Sequence, residues 1–207
     1  MTRGKFITLE GGEGVGKSTN LNFIKGYLQD HGIAVITTRE PGGTQLAEKM
    51  RLLLLDAGDE SISESTELLL MFAARSQHIG QVIEPALAQG KWVVCDRFTD
   101  ATYAYQGGGR NMNTNTIKWL ENLVQGSLRP DLTLLLDAPV EIGIERVRER
   151  GELDRFESEK IDFFERVRQT YLRRAELYPD RIKLIKANRP LSDVQRALVD
   201  VLRPLIT

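Results

Sequence analysis

An α/β fold, with a five-stranded parallel sheet and helices on both faces, is the class that this sequence predicts. Three observations support it: five short apolar runs, helical patterns between those runs, and a glycine-rich turn directly after the first one. The apolar runs are continuous, whereas strands with one solvated face alternate apolar and polar residues. Continuous runs separated by helices predict a doubly wound sheet that is buried on both sides.

The predicted strands are short, and each is bounded by polar or turn-forming residues. They are Phe6 to Glu10, Ala34 to Thr38, Trp92 to Asp96, Leu132 to Asp137 and Ile182 to Lys186. The longest helical patterns cover about Glu64 to Ala88 and about Asp162 to Leu177. The 207 residues show no break in composition, so we expect a single domain over residues 1–207.

Charge and cysteine content exclude several classes of protein. The 28 basic and 29 acidic side chains give a net charge of -1, which argues against nucleic-acid binding driven by bulk charge. The single cysteine, Cys95, lies in an apolar run, so a disulfide framework within the chain is not possible. No apolar run approaches the roughly 18 residues of a membrane span. We therefore expect a cytoplasmic protein that acts on small molecules, without nucleic-acid or membrane partners.

The turn after the first strand has the spacing of a phosphate-binding loop. Gly11 is followed by four residues and then by Gly16, Lys17 and Ser18. Such a loop directs backbone N–H groups at a phosphate chain, and glycines permit the positive φ angles and the close approach that this requires. Lys17 would reach the β- and γ-phosphates, and the Ser18 hydroxyl would bind Mg²⁺. The motif predicts a P-loop nucleoside triphosphate hydrolase-like fold whose nucleotide-binding residues are Gly11, Gly12, Glu13, Gly14, Val15, Gly16, Lys17, Ser18 and Thr19.

Charged residues follow the other strands at the same edge of the sheet, where doubly wound folds bind their ligands. Arg39 follows the second strand and Arg97 the third, so both should face the phosphate loop across one crevice. Their guanidinium forks suit a second phosphate group. Asp96 and Asp137 also end strands, and the spacing does not decide which of them binds Mg²⁺ through water. We favour Asp96, because it stands next to an arginine.

A segment with four arginines follows the fourth strand. It contains Arg146, Arg148, Arg150 and Arg155, with a glycine at position 151. Its position is that of a lid that closes over nucleotide phosphates and brings an arginine to the transferring group. We therefore expect a lid at about residues 146–158.

The ordered set of motifs resembles thymidylate kinase from about residue 6 to residue 178. Beyond the phosphate loop with its acidic Glu13, the set consists of Thr38 to Thr44, Leu70 to Arg75, Asp96 to Phe98, Ala104 to Arg110, and the lid sequence Arg-Gly-Glu-Leu-Asp-Arg. Gly14 and Val15 stand where other forms carry a loop arginine, so the chain is similar to the bacterial form, in which the lid supplies that arginine. One departure is Ala101, where the family usually has serine.

The resemblance implies a homodimer in which ATP, with Mg²⁺, phosphorylates thymidine 5′-monophosphate (dTMP) to the diphosphate. It assigns ATP binding to the phosphate loop, Arg146 and Arg150. Among the lid arginines it favours Arg150 over Arg155 as the catalytic one. It places Arg39 and Arg97 on the phosphate of the acceptor.

The resemblance also implies a pocket for the thymidine part of the acceptor. Glu13 would approach the sugar 3′-hydroxyl, and Tyr105 would crowd a ribose 2′-hydroxyl. Phe72 would stack on thymine, and Arg75 would donate a hydrogen bond to its O4. Thr102 and Gln106 would lie near the base.

Two other functions stay open at this stage. The chain is alternatively another nucleoside or nucleoside-monophosphate kinase, or a P-loop nucleotide-binding protein without catalysis. The arginine pair favours a phosphorylated acceptor, because a nucleoside has no phosphate to bind. The sequence also lacks the guanine-binding Asn-Lys-x-Asp segment of GTPase switch proteins.

Overall fold

The computed structural model describes residues 3–55, 60–150 and 154–206, apart from the side chain of Arg150. Within these residues the strands are β1 (Phe6–Glu10), β2 (Val35–Arg39), β3 (Trp92–Asp96), β4 (Leu132–Asp137) and β5 (Ile182–Lys186). All neighbouring strands are parallel, in the order β2-β3-β1-β4-β5. The predicted α/β class with a five-stranded parallel sheet is therefore confirmed.

The second strand lies one residue further along the chain than the apolar pattern predicts. The pattern starts at Ala34, but the paired register runs from Val35 opposite Trp92 to Arg39 opposite Asp96. Ala34 contributes only its carbonyl, which accepts a hydrogen bond from Trp92 N (2.8 Å). The shift makes Arg39 the last residue of β2, at the carboxyl edge of the sheet.

The connections between the strands are mainly helical. The described helices are α1 (Lys17–Asp30), α2 (Gln45–Leu55), α3 (Glu64–His78), α4 (Glu84–Ala88), α5 (Thr99–Thr102), α6 (Thr114–Gln125), α7 (Val140–Arg150), α8 (Ile161–Leu177) and α9 (Leu191–Ile206). The helix predicted from Glu64 to Ala88 is interrupted by a π-helical turn over Ile79–Ile83, and a second π-helical segment, Tyr103–Gly109, follows α5. Every described helix falls short of the length or the apolar content needed to cross a bilayer.

Buried apolar side chains cover both faces of the sheet. On one face, Ile7 and Leu9 of β1 pack with Leu28 of α1 and Leu198 of α9. On the other face, Phe6 packs with residues of β3, α4 and the segment after β3. This two-sided burial is the reason for the continuous apolar runs, and it fixes the strand ends from which the charged residues project.

A buried polar network joins the end of β1 to α8. Glu10 accepts hydrogen bonds from Phe98 N (2.7 Å) and Tyr171 Oη (2.8 Å). Asp100, which is paired with an arginine of α8 and another just before β5, lies close by. Burial, followed by the negative charge of Asp100, raises the pKa of Glu10 from 4.5 to about 8.

This carboxyl should make the protein less stable as the pH rises from 4.5 to about 8. The folded state keeps the Glu10 proton in that window, whereas the unfolded state releases it, so rising pH favours unfolding. The loss approaches about 1.4 kcal/mol per pH unit for such a group. Urea unfolding across the window measures it, and Glu10→Gln should reduce the slope. An equal slope in the variant and the unchanged protein would contradict the assignment.

Candidate active site

A cavity of about 700 Å³ lies beyond the carboxyl ends of β1, β2 and β3. Most of the predicted site residues line it. They are Glu13, Gly14, Val15, Gly16, Lys17, Ser18, Thr19, Arg39, Arg75, Asp96, Arg97, Thr102, Tyr105, Gln106 and Arg146. Gly11, Gly12, Phe72 and Arg155 are not among the described lining residues, and the side chain of Arg150 lies outside the described part of the chain.

The phosphate loop surrounds the side chain of Lys17. The Lys17 ammonium donates hydrogen bonds to Gly12 O (2.7 Å) and Gly11 O (3.3 Å). Burial lowers the pKa of Lys17, and the positive charge of Arg97 lowers it further. A phosphate group in the loop would favour the charged ammonium and so offset both effects.

The loop packs tightly against the start of α7. A Cβ atom added to Gly14 would lie 2.1 Å from Gly143 O, and one added to Gly143 would lie 2.3 Å from Glu13 O. Gly14 and Gly16 also have φ angles of 65° and 88°, which side chains rarely allow. Glycine is therefore required here both for backbone conformation and for space.

Arg97 has an unusual backbone conformation for an arginine. Its φ angle is 66°, in the left-handed region where a residue with a side chain is strained. Its guanidinium donates to Glu13 Oε1 (2.6 Å) and Gly11 O (3.2 Å), and it lies 4.7 Å from the ring centre of Tyr105. Tyr105 Oη donates to the same Glu13 oxygen (2.8 Å). The structure thus brings Glu13, Arg97 and Tyr105 into one cluster beside the phosphate loop.

Arg39 and Arg51 line the cavity on the β2 side. The Arg39 side chain is 55% exposed and paired with Glu48 (2.9 Å). Arg51 of α2 donates to Pro41 O (3.0 Å), and its pKa is lowered by burial and by the positive charge of Arg39. Sequence reasoning misses Arg51, since an arginine within a helix usually marks the solvated face. Its place on the helix that follows the Arg39 loop is the available signal.

Arg75 of α3 is buried but not fully paired. Its Nε donates to Glu40 Oε2 (2.7 Å), and its Nη2 donates to Thr102 Oγ1 (2.9 Å). The guanidinium lies 4.8 Å from the ring centre of Phe72 and 5.1 Å from that of Phe98. Its Nη1 is buried and has no hydrogen-bond partner among the described residues. Because an unpaired buried donor is costly, this atom indicates a place for an acceptor atom of a ligand.

Two other residues of the predicted base pocket have partners inside the protein. Phe72 packs with Leu68 and Ile117 and is only 2% exposed, so its stacking on a base stays a prediction. Gln106 lines the cavity, and its Nε2 donates to Glu67 Oε1 (2.8 Å). A hydrogen bond to a residue of α3 thus holds the side-chain amide of Gln106 in place.

The two strand-end aspartates have different surroundings. Asp137 binds Arg168 through both carboxylate oxygens, at 2.8 and 3.0 Å. Asp96 lines the cavity, and its Oδ1 is buried without a partner in the described part of the chain. Ser18 is exposed in the same cavity. No trio of His, Cys, Asp or Glu side chains among the described residues can hold a metal, so a Mg²⁺ ion here would also need phosphate and water oxygens.

The arginines of the predicted lid do not all reach the phosphate loop. Arg146 does, since its Nη1 donates to Gly14 O (3.3 Å). Arg155 does not, since its guanidinium donates to Glu67 Oε2 (2.7 Å) and Leu54 O (2.8 Å). The Arg150 side chain, and residues 151–153 of the predicted lid, lie outside the described residues.

Similarity to known proteins agrees with this geometry. The sequence model of the family described as thymidylate kinase matches residues 9–198. The chain belongs to the thymidylate kinase family. The predicted resemblance is therefore confirmed, and the match to thymidylate kinases extends beyond residue 178 into α9.

Individual thymidylate kinases are similar over nearly the whole chain. That of Teredinibacter turnerae (strain ATCC 39867 / T7901) is 59% identical over 199 residues, 94% of this chain and 97% of its own. That of Pseudomonas savastanoi pv. phaseolicola (strain 1448A / Race 6) is 58% identical over 203 residues, 98% of this chain and 97% of its own. The crystal structure of thymidylate kinase from Ehrlichia chaffeensis has a TM-score of 0.78 at 33% identity and covers 97% of this chain and 99% of that one. The predicted P-loop fold is thus confirmed.

Proposed function

We propose that the chain transfers the γ-phosphoryl group of ATP to dTMP and releases dTDP and ADP, a step in dTTP synthesis. One observation carries the proposal: a single cavity is lined by Lys17 within the phosphate loop, by Arg97 beside that loop, and by Arg39 and Arg51 on the β2 side. Two phosphorylated substrates can therefore be bound with their phosphates towards each other. Membership of the thymidylate kinase family supports dTMP as the acceptor.

The proposed mechanism consists of placement and charge neutralisation. Lys17 contacts the β- and γ-phosphates of ATP, and Arg97 contacts the acceptor phosphate together with Arg39 and Arg51. The acceptor phosphate is already ionised at neutral pH, so the reaction requires no general base from the protein. The cations offset the repulsion between the two anionic substrates and stabilise the charge of the transferring group.

The nucleoside of dTMP would lie along α3 and the π-helical segment Tyr103–Gly109. The unpaired Nη1 of Arg75 supports a hydrogen bond to thymine O4. The cluster of Glu13 and Tyr105 supports the roles taken from the resemblance, in which Glu13 contacts the 3′-hydroxyl and Tyr105 occupies the space of a 2′-hydroxyl. Thr102 and Gln106 would border the base.

We propose that Mg²⁺ accompanies ATP. The Ser18 hydroxyl and, through water, the unpaired Oδ1 of Asp96 have the oxygen chemistry that this ion prefers. When bound, the ion would neutralise phosphate charge.

Asp96→Asn should raise the Mg²⁺ concentration needed for half-maximal turnover by about 10- to 100-fold. A neutral amide holds a cation-bound water less strongly than a carboxylate does. Initial rates in a Mg²⁺ titration at saturating ATP and dTMP measure the change. Asp137→Asn is the control, because Arg168 occupies that carboxylate and the Mg²⁺ requirement should stay unchanged. Equal shifts in both variants would contradict the role of Asp96.

An ATP-consumption assay with dTMP, dUMP, dCMP and thymidine tests the proposed function. We expect the highest kcat/KM with dTMP. Preferred turnover of thymidine would instead favour a nucleoside kinase, and preferred turnover of dCMP another nucleoside-monophosphate kinase. No consumption with any acceptor would favour a nucleotide-binding protein without catalysis.

We also propose a homodimer, as the resemblance implies. Leu52 and Leu53 of α2, Leu69 of α3, and Trp119 and Leu123 of α6 are exposed apolar side chains. Because α2 contacts α3 and α3 contacts α6, they lie on neighbouring helices. Sedimentation equilibrium should give twice the chain mass of 23.4 kDa. The single domain, the lid at about residues 146–158 and the cytoplasmic location stay predictions.

A further inference from the structure

We propose that His78 is a positioning residue for acceptor recognition, which acts through Glu40 on Arg75. The inference rests on the proposed function, in which the acceptor is dTMP. The Glu40 carboxylate divides its two oxygens: Oε2 accepts from Arg75 Nε (2.7 Å), and Oε1 accepts from His78 Nδ1 (3.0 Å). His78 thus forms a hydrogen bond with the carboxylate that orients the Arg75 guanidinium.

The hydrogen-bond pattern places a hydrogen on Nδ1 of His78. Since the Glu40 carboxylate is paired with Arg75 and accepts hydrogen bonds, Nδ1 of His78 must carry the hydrogen. Nε2 forms the second hydrogen bond of the ring, with the Thr38 hydroxyl 2.7 Å away. The side chain is 0% exposed, and both ring nitrogens have a hydrogen-bond partner within the protein.

The His78 ring has no room to turn away from Glu40. It packs against the loop after β2, where a Cβ atom added to Gly43 would lie 2.5 Å from both Cδ2 and Nε2 of the ring. His78 also follows Arg75 by one helical turn on α3, so the two side chains lie on the same face. Helix α3 and the loop together hold His78 and Arg75 on the two oxygens of one carboxylate.

This arrangement determines where Arg75 Nη1 points. With Glu40 on Nε and Thr102 on Nη2, the guanidinium has two fixed partners, and Nη1 is left for the ligand. Without a donor at His78, Glu40 Oε1 would be a buried unpaired acceptor, so the carboxylate would turn and Arg75 would follow it. Because Nη1 can only donate, it pairs with the 4-oxo group of thymine and not with the 4-amino group of cytosine. Misplacement of the Arg75 guanidinium should therefore weaken the binding of dTMP. It should also reduce the preference of the protein for dTMP over dCMP.

Two similar substitutions separate the contacts of His78. His78→Asn keeps a donor at the place of Nδ1, next to Glu40. His78→Gln keeps a polar group at the place of Nε2, next to Thr38, and loses the donor to Glu40. We expect His78→Gln to raise the KM for dTMP about tenfold and to lower the dTMP/dCMP ratio of kcat/KM. The KM for ATP and the kcat at saturating dTMP should stay unchanged, and His78→Asn should recover most of the dTMP affinity.

A double-mutant cycle tests whether the effect passes through Arg75. In an Arg75→Met background, His78→Gln should add nothing to the KM for dTMP, because the residue on which it acts is absent. Additive effects, equal effects of His78→Asn and His78→Gln, or a parallel rise in the KM for ATP would overturn the inference. Should His78→Gln fail to fold, Glu40→Gln tests the same contacts. If that variant keeps the KM for dTMP and the preference for dTMP over dCMP, the inference is overturned.

Turnover of dTMP by the protein without substitutions distinguishes a failure of this inference from a failure of the proposed function. No turnover of dTMP by that protein overturns the proposed function, and the role of His78 with it. Turnover of dTMP together with equal behaviour of the two His78 variants overturns only the positioning role.

Discussion

Lys17→Ala is expected to lower kcat by on the order of 10²- to 10³-fold. The Lys17 ammonium is already held inside the phosphate loop by Gly11 O and Gly12 O, so it stabilises developing charge without reorganisation during the reaction. Single-turnover rates at saturating ATP and dTMP measure the loss at the chemical step.

Lys91→Ala is the matched control for this loss. Lys91 is an exposed lysine just before β3, at the opposite edge of the sheet, so its removal changes the net charge equally and should leave kcat unchanged. A Lys17→Ala variant with kcat close to that of the control would remove the phosphate loop from the proposed mechanism.

Arg97→Ala should lower turnover about as much as Lys17→Ala does. Its effect on ATP binding should be much smaller than its effect on turnover. The Arg97 guanidinium donates to Gly11 O and Glu13 Oε1 of the phosphate loop and lies against the ring of Tyr105, where the acceptor phosphate would be placed. We expect kcat/KM for dTMP to fall by about 10²-fold or more, whereas ATP affinity measured by calorimetry changes little.

Arg39→Ala is the informative comparison, because both arginines line the same cavity. The Arg39 side chain is 55% exposed and paired with Glu48, so its removal should cost less than that of Arg97. Near-normal dTMP turnover in Arg97→Ala, or a loss of ATP affinity as large as the loss of turnover, would argue against Arg97 as the acceptor-phosphate residue.

Local patterns were sufficient for the fold and for much of the cavity wall. Parallel strands buried on both faces leave continuous apolar runs, and their carboxyl ends must meet at one edge, so the positions of Lys17, Asp96 and Arg97 follow from topology. The predicted start of β2 was wrong by one residue, because the register of a strand depends on its pairing with the neighbouring strand and not on the apolar pattern. The π-helical turn after α3 leaves no periodic signal in its five residues.

Tertiary pairing explains what the sequence did not predict. Whether Asp96 or Asp137 is available to an ion depends on Arg168, which is distant in the chain and pairs with Asp137. Arg155 pairs with Glu67 of α3, which no local pattern indicates. The same applies to Arg51 and to the Glu40–His78 contact, since each depends on the loop after β2 folding back on the helices.

The close contact between Gly14 and Gly143 has a consequence for the thermodynamics of nucleotide binding. The first turn of α7 confines the backbone of the loop through contacts within the protein itself, so the loop loses less conformational entropy when it binds a triphosphate. Affinity for ATP in this protein should therefore depend on the residue at position 143, which need not touch the nucleotide.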